Sequence, residues 1–127
     1  DMDTSSADNT EVGRYLEYED IYLPTTAEYV DLCSKLYPEL AVVTCASADK
    51  FVGDEKRKIE LREKFNADIC DMESAAIILI CDRNNIPNLL IKTISDSITG
   101  GAEEFYQCAE DAADICLDMI DNIMTEL

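Results

Sequence analysis

Residues 67–96 read ADICDMESAAIILICDRNNIPNLLIKTISD, and this stretch decides the fold. Ala67 to Met72 reads as a short strand. Glu73 to Asn84 is apolar nearly all round, which predicts a well-buried helix. Asn84-Asn85 stops that helix, and Pro87 confirms the break. Leu89 to Ile94 reads as the next strand. Strands alternating with helices imply parallel pairing through right-handed crossovers.

The pattern extends outward in both directions. Upstream, Thr25 with Glu28 three residues later fits a capping box, and Val30, Cys33 and Leu36 share one helix face until Pro38 ends it. Leu40 to Ala46 is a short run with a β-branched centre, as expected of a strand covered on both faces. Asp54 caps the next helix. Leu61 and Phe65 lie on one side of it, while Lys56, Arg57, Lys58, Arg62 and Lys64 read as a solvated face. Downstream, Gly100-Gly101 is a loop, and a last helix runs from about Glu103 to Met124. Its apolar stripe is Phe105, Cys108, Ala109, Ala112, Cys116, Met119, Ile120 and Ile123; its wet one is Asp111, Asp114, Asp118 and Asp121. The fold class is therefore α/β, a three-layer α/β/α arrangement with a mostly parallel sheet and flanking helices.

At 127 residues the chain forms one domain, 1–127. Residues 1–23 form a loop or flap, with Tyr15, Tyr18 and Tyr22 at helix-like spacing and packing as their plainer role. The longest apolar run, Ala75 to Cys81, is far short of a membrane span, so no membrane partner is expected. No basic-then-apolar leader opens the sequence, and Asp1 in place of Met reads as a chain processed, tagged or cut from something longer.

The net charge of −18 is uneven: residues 97–127 carry 8 acids and no base, while residues 50–96 carry 9 acids and 8 bases. Such a surplus of carboxylates makes nucleic acid and anionic membranes poor partners. The six cysteines, at 33, 45, 70, 81, 108 and 116, never occur with only two residues between them, and there is no histidine. This excludes zinc-finger and thioredoxin-like motifs and histidine acid–base chemistry, leaves no metal or cofactor expected, and places the chain in a reducing cytoplasm.

In open parallel sheets, ligands bind outside the carboxyl ends of the strands. The residues following the three expected strands are Ser47 to Gly53, Cys70 to Ala76, and Thr93 to Ser97. With the strands adjacent, Phe51, Met72, Glu73 and Asp96 converge on one rim. An aromatic face, a thioether and two carboxylates suit a flat ring bearing vicinal hydroxyls, such as a nucleoside. Each residue also has a plain role: Phe51 and Met72 as core, Glu73 as a helix N-terminal acid, Asp96 as a turn residue.

Ser47 to Gly53, Asp71-Met72-Glu73-Ser74-Ala75-Ala76 and Ile94-Ser95-Asp96, in this order and spacing, resemble the C-terminal half of the 5′-methylthioadenosine/S-adenosylhomocysteine nucleosidases of the nucleoside phosphorylase superfamily. The resemblance runs from about Val42 to the end. It implies a partial nucleoside phosphorylase-like fold and hydrolysis of the N-glycosidic bond of adenine nucleosides. It implies that Phe51 stacks on the purine and that the Val52 backbone reads the adenine edge. Met72 lies against the ribose, whose hydroxyls donate to Glu73. Asp96, positioned with Ser95, is the general acid at purine N7. For that role, an apolar cleft with a second carboxylate nearby is expected to keep Asp96 protonated.

Ala48 stands where the family motif usually has Gly, a change that tightens the loop before Phe51. The family's N-terminal half, with its water-activating carboxylate, is not recognisable here, so this chain alone is expected to be catalytically incomplete. A bare sheet edge calls for a complementing segment or chain. The resemblance further implies a homodimer, with residues 1–23 a candidate for the loop that closes a neighbour's site. No base follows Lys92, which favours water over phosphate as nucleophile. A purine nucleoside phosphorylase, a non-catalytic nucleoside-binding or structural relative, and a flavodoxin-like signalling domain are the alternatives.

Overall fold

The structure, a computed structural model, describes residues 5–100 and 102–126. In chain order it comprises α1 (Ser5–Asp8), α2 (Ala27–Leu36), β1 (Cys45–Ser47), α3 (Glu55–Phe65), β2 (Ile69–Asp71), α4 (Ser74–Arg83) and α5 (Ala102–Glu126). β1 and β2 pair in parallel, with Cys45 opposite Ile69, Ala46 opposite Cys70 and Ser47 opposite Asp71. The helix between them makes this a βαβ unit. The predicted third strand, Leu89 to Ile94, forms no ladder among the described residues. It runs as extended irregular chain, tied to α5 by a 2.7 Å contact between Thr93 Oγ1 and Cys116 Sγ.

Local signals set the helix limits. Asp54 accepts the Arg57 N–H at 2.9 Å and caps α3 as the sequence predicts. α3 ends at Asn66 in the left-handed region (φ 51°), a conformation asparagine tolerates better than most residues. Asn84 closes α4, and Asn85 turns the chain away with φ 55°. The capping box at Thr25 does not form. Thr26 is the N-cap of α2, and its hydroxyl makes no cap hydrogen bond. That hydroxyl instead accepts the Asn88 N–H at 2.8 Å, while the Thr26 N–H donates to the Asn88 carbonyl at 2.9 Å. A tertiary bond has taken the capping group.

Burial is sparse. Ala67, Ile78, Ile123 and Ser74 are the buried residues among those described. Helix α4 is not enclosed as its sequence predicts: Ile78 is buried, but Ile77 and Ile80 are exposed. On α5, Ile123 is buried and Ile120 is exposed, while Asp114, Asp118 and Asp121 face solvent. The side chains of Phe105, Ala109, Asp111 and Ala112 lie outside the described residues, as does Gly101. Val42, Val43, Ile94 and Ile98 are exposed as well. The accessible surface is 9,120 Å². A closed globular protein of 14.2 kDa exposes about 6,800 Å².

Residues 9–23 cross the far end of the helices. Tyr18 Oη donates to Asp82 Oδ2 at 2.5 Å, Arg83 pairs with Glu17 at 3.1 Å, and Tyr22 Oη donates to the Phe65 carbonyl at 3.5 Å. The rings of Tyr15 and Tyr18 meet edge-on, 6.4 Å apart. These contacts lie where α3 and α4 end, away from the carboxyl ends of β1 and β2. No described helix is long and apolar enough to cross a membrane.

Candidate active site

The candidate site is built on the carboxyl ends of β1 and β2. Because Ser47 and Asp71 are register partners, the two loops that follow leave the sheet side by side. One carries Phe51 and Val52 into the Asp54 cap of α3. The other is Met72-Glu73, which leads directly into α4. Two cross-links hold the pair together: Ala48 N–H donates to the Asp71 carbonyl at 3.1 Å, and Ala75 N–H donates to Ser47 Oγ at 3.0 Å. Ala48 has no positive φ, so an alanine is accommodated there without strain.

Asp71 is the hub of this corner, and the sequence reading passed over it. Its carboxylate receives Lys92 Nζ at 2.6 Å, the Ser74 N–H at 3.3 Å and the Ser74 hydroxyl. Partial burial pushes the Asp71 carboxyl up, but hydrogen bonds from Lys92, Ser74 and Ser47 outweigh it and bring the value to about 2. The signal was available, since an Asp three residues before a Ser at a helix start is a local turn pattern. Lys92 also fastens the 89–94 segment beside β2. Burial, then the charge of Asp71, pushes the Cys45 thiol up to about 11.

Asp96 follows that segment. Its Oδ2 receives Lys58 Nζ at 2.5 Å, and its Oδ1 receives the Ser95 hydroxyl at 3.2 Å. Lys58 stands in the first turns of α3, just beyond the Phe51 loop, so this bond ties the third loop to the first. The Cys70 thiol is raised by burial and feels both charges, Lys58 lowering it and Asp96 raising it. This places the Lys58–Asp96 pair close to β2.

Two expectations are corrected here. Asp96 meets an ammonium, where an apolar cleft with a second carboxylate was expected. Lys58 is not part of a solvated basic face, because its side chain is only 11% exposed. Lys58 turns inward to reach a carboxylate 38 residues away. Three others of that basic set pair locally: Arg57 with Glu60 at 3.2 Å, Arg62 with Asp68, and Lys64 over the Phe65 ring at 5.1 Å.

The other site residues stand at the rim. Phe51 is 47% exposed and packs against Gly53, where a Cβ would lie 2.9 Å from its ring. Val52 is half-buried, and Met72 is 41% exposed. Glu73 is exposed, with Oε2 accepting the Met72 N–H at 3.3 Å. Phe51, Val52, Met72, Glu73, Ser95 and Asp96 thus all lie on three loops that bonds bring to one edge of the sheet. Two open concavities, about 560 and 330 Å³, lie elsewhere, along the outer face of α3 around Ile59 and beside Tyr18 to Pro24. No cluster of metal-ligating side chains occurs among the described residues.

Comparison with known proteins agrees with this architecture. The family pattern described as the phosphorylase superfamily matches residues 4–125. The chain is similar to the aminodeoxyfutalosine nucleosidase of Campylobacter jejuni, 35% identical over 58% of this chain and 32% of that protein. It is also similar to the 5′-methylthioadenosine/S-adenosylhomocysteine nucleosidase of Bacillus cytotoxicus, 32% identical over 75% of this chain and 43% of that protein. The native structure of futalosine hydrolase of Helicobacter pylori superposes with a TM-score of 0.91 at 26% identity, covering 100% of this chain and 56% of that one. The chain therefore spans only about a third to just over half the length of these relatives.

Proposed function

This chain belongs to the phosphorylase superfamily, and on that premise we propose that the protein hydrolyses the N-glycosidic bond of adenine nucleosides. The observation that carries the reading is the register of Ser47 against Asp71, which brings the Phe51 loop and Met72-Glu73 out together at one sheet edge. The names of the relatives support hydrolysis, since the curated ones are nucleosidases.

Each residue has a role in this proposal. Phe51 stacks on the purine, and the Val52 N–H and C=O read the adenine edge. Met72 lies against the ribose, and Glu73 accepts hydrogen bonds from its hydroxyls. Asp96, steadied by Ser95, protonates the purine at N7. A purine anion leaves poorly. Proton transfer from Asp96 lets the base depart neutral as its bond to the sugar breaks, and such acid catalysis is worth about 10² to 10⁴ in rate. The sugar meanwhile gains oxocarbenium character, which nearby carboxylates stabilise. Water is the nucleophile, in keeping with the absence of any base after Lys92. For the 5′ substituent of the sugar, methylthio, homocysteinyl and hydroxyl are the candidates. The matches to an aminodeoxyfutalosine nucleosidase and a futalosine hydrolase favour aminodeoxyfutalosine as a second substrate to assay.

The test is Asp96→Asn in the full-length protein. Adenine release should fall about 10²- to 10⁴-fold while nucleoside binding stays close to wild type. Near-wild-type turnover removes the assignment. Added inorganic phosphate should leave the rate unchanged, and acceleration by phosphate would favour a phosphorylase. Tight binding of an adenosine analogue with no base release would favour a non-catalytic relative.

We also propose that the working protein is a cytoplasmic homodimer in which further chain of the same fold covers the open sheet. The surface excess and the exposed Val42, Val43, Ile77 and Ile80 support this. An intact mass well above 14.2 kDa per protomer is expected. A soluble, active monomer of 14.2 kDa would contradict it.

A further inference from the structure

The ammonium of Lys58 has three protons and three acceptors: Asp96 Oδ2 at 2.5 Å, the Ser97 carbonyl at 2.5 Å and the Gly100 carbonyl at 3.0 Å. No other described group spans α3 and the turn after Asp96 in this way. The turn is closed from its other side by Glu104. Glu104 Oε2 accepts the Ser97 N–H at 2.9 Å and the Ser97 hydroxyl at 3.0 Å, and the Gly100 N–H donates to Ser97 Oγ at 3.0 Å. A Cβ at Gly100 would fall 1.4 Å from Glu104 Oε2, so a larger residue there would push the Glu104 carboxylate aside. Lys58 and Asp96 are 11% and 17% exposed, so the pair is largely shielded from water.

We propose that Lys58 is the positioning residue for Asp96: it pins Oδ2 and the 97–100 turn to α3, and leaves Oδ1, beside the Ser95 hydroxyl, as the oxygen that delivers the proton. The proposal rests on the nucleosidase reading above. Asp96 accepts at both oxygens in the free protein, so in the step it serves Oδ1 first takes a proton from water; that Oδ1–H bond then breaks as an N7–H bond forms. The electron pair of the glycosidic bond moves into the purine, which leaves neutral. The carboxylate left on Asp96 is then paired with the ammonium already against it. Lys58 touches no substrate atom. Its effect runs through the orientation of one carboxyl group, which a shift of about 1 Å spoils by up to about 10²-fold.

The experiment measures kcat and KM for adenine release from 5′-methylthioadenosine and from aminodeoxyfutalosine with full-length wild type, Lys58→Met, Lys58→Arg, Asp96→Asn and the Lys58→Met/Asp96→Asn double variant. Lys58→Met should lower kcat about 10- to 100-fold with KM within about 3-fold. Lys58→Arg keeps the charge without the three-point tetrahedral fit, and should fall between the two. On the Asp96→Asn background the methionine should cost less than about 3-fold, because its effect acts through the missing acid. Deuterium uptake at residues 97–100 should rise in Lys58→Met.

The proposal is overturned if Lys58→Met keeps kcat within about 3-fold of wild type, or if its loss multiplies in full onto Asp96→Asn. If Lys58→Met does not fold, a Lys58→Arg enzyme with unchanged kcat overturns it as well. An active wild type with an indifferent Lys58 removes this inference alone. A folded wild type inactive on both nucleosides removes the nucleosidase reading and this inference with it.

Discussion

Replacing Asp71 by Asn removes one negative charge from the corner that carries the site. In the native protein the Asp71 side chain is 13% exposed and holds Lys92 Nζ at 2.6 Å together with the N–H and hydroxyl of Ser74. Burial works against its charge, but the hydrogen bonds from Lys92, Ser74 and Ser47 prevail, and the carboxyl sits at about 2 against 3.8 for an ordinary aspartate. Because the folded value lies below the unfolded one, ionised Asp71 stabilises the fold. The contribution is complete above the unfolded value and is lost as pH falls through the folded one. A shift of nearly two units is worth about 2 kcal/mol at neutral pH, about half of that at pH 3, and little near pH 2. Asn has the shape and neutrality of a protonated Asp, so it reports this difference directly. Lys92 is 32% exposed and can recover water, so leaving it unpaired adds little.

Urea unfolding of wild type and Asp71→Asn at pH 7 and at pH 3 is the assay. The variant should lose about 2 kcal/mol at pH 7 and about 1 kcal/mol at pH 3. A loss under about 0.5 kcal/mol at pH 7, or one that fails to shrink at pH 3, refutes the account of Asp71 as an ionised hub.

Three further outcomes follow from named contacts. Asn66 holds φ 51° at the end of α3, so Asn66→Ala should cost about 1 kcal/mol in urea unfolding and Asn66→Gly about zero. Asp54→Ala removes the cap bond to Arg57 and should also cost about 1 kcal/mol by the same measurement. The Cys45 thiol, at about 11 against 9.0, carries about 100-fold less thiolate at neutral pH than an unperturbed cysteine; iodoacetamide labelling followed by peptide mass spectrometry should find it correspondingly slow in the folded protein and fast in urea.

What the sequence made legible was local. Asp54 and Asn84 mark helix ends through bonds and dihedrals that involve a few neighbouring residues, and both are used as read. The loops after β1 and β2, which carry Phe51, Val52, Met72 and Glu73, were also legible, because alternation of strand and helix fixes where such loops emerge. What escaped was set by partners distant in the chain. The helix starts one residue later than the Thr25–Glu28 pattern, on Thr26, whose hydroxyl goes to Asn88, 62 residues on. Lys58 sits in a basic helix whose spacing looks solvated, and nothing within that helix signals a carboxylate 38 residues downstream. Strand propensity was legible at Leu89 to Ile94, but a ladder also requires a neighbouring edge.

Strands of a parallel sheet are covered on both faces, and their apolar runs are made for that environment. Here β1 and β2 pair with each other, while Val42 and Val43 before β1 and Ile94 at the end of the third segment remain in solvent. Phe51 and Met72 are in the same position at the rim. Each large apolar side chain left in water forgoes about 1.5 to 3 kcal/mol of burial. Held in a closed pocket, the same ring and thioether become the walls of a purine and ribose site. On the reading proposed above, further chain covering the sheet would also close the rim that carries Phe51 and Met72.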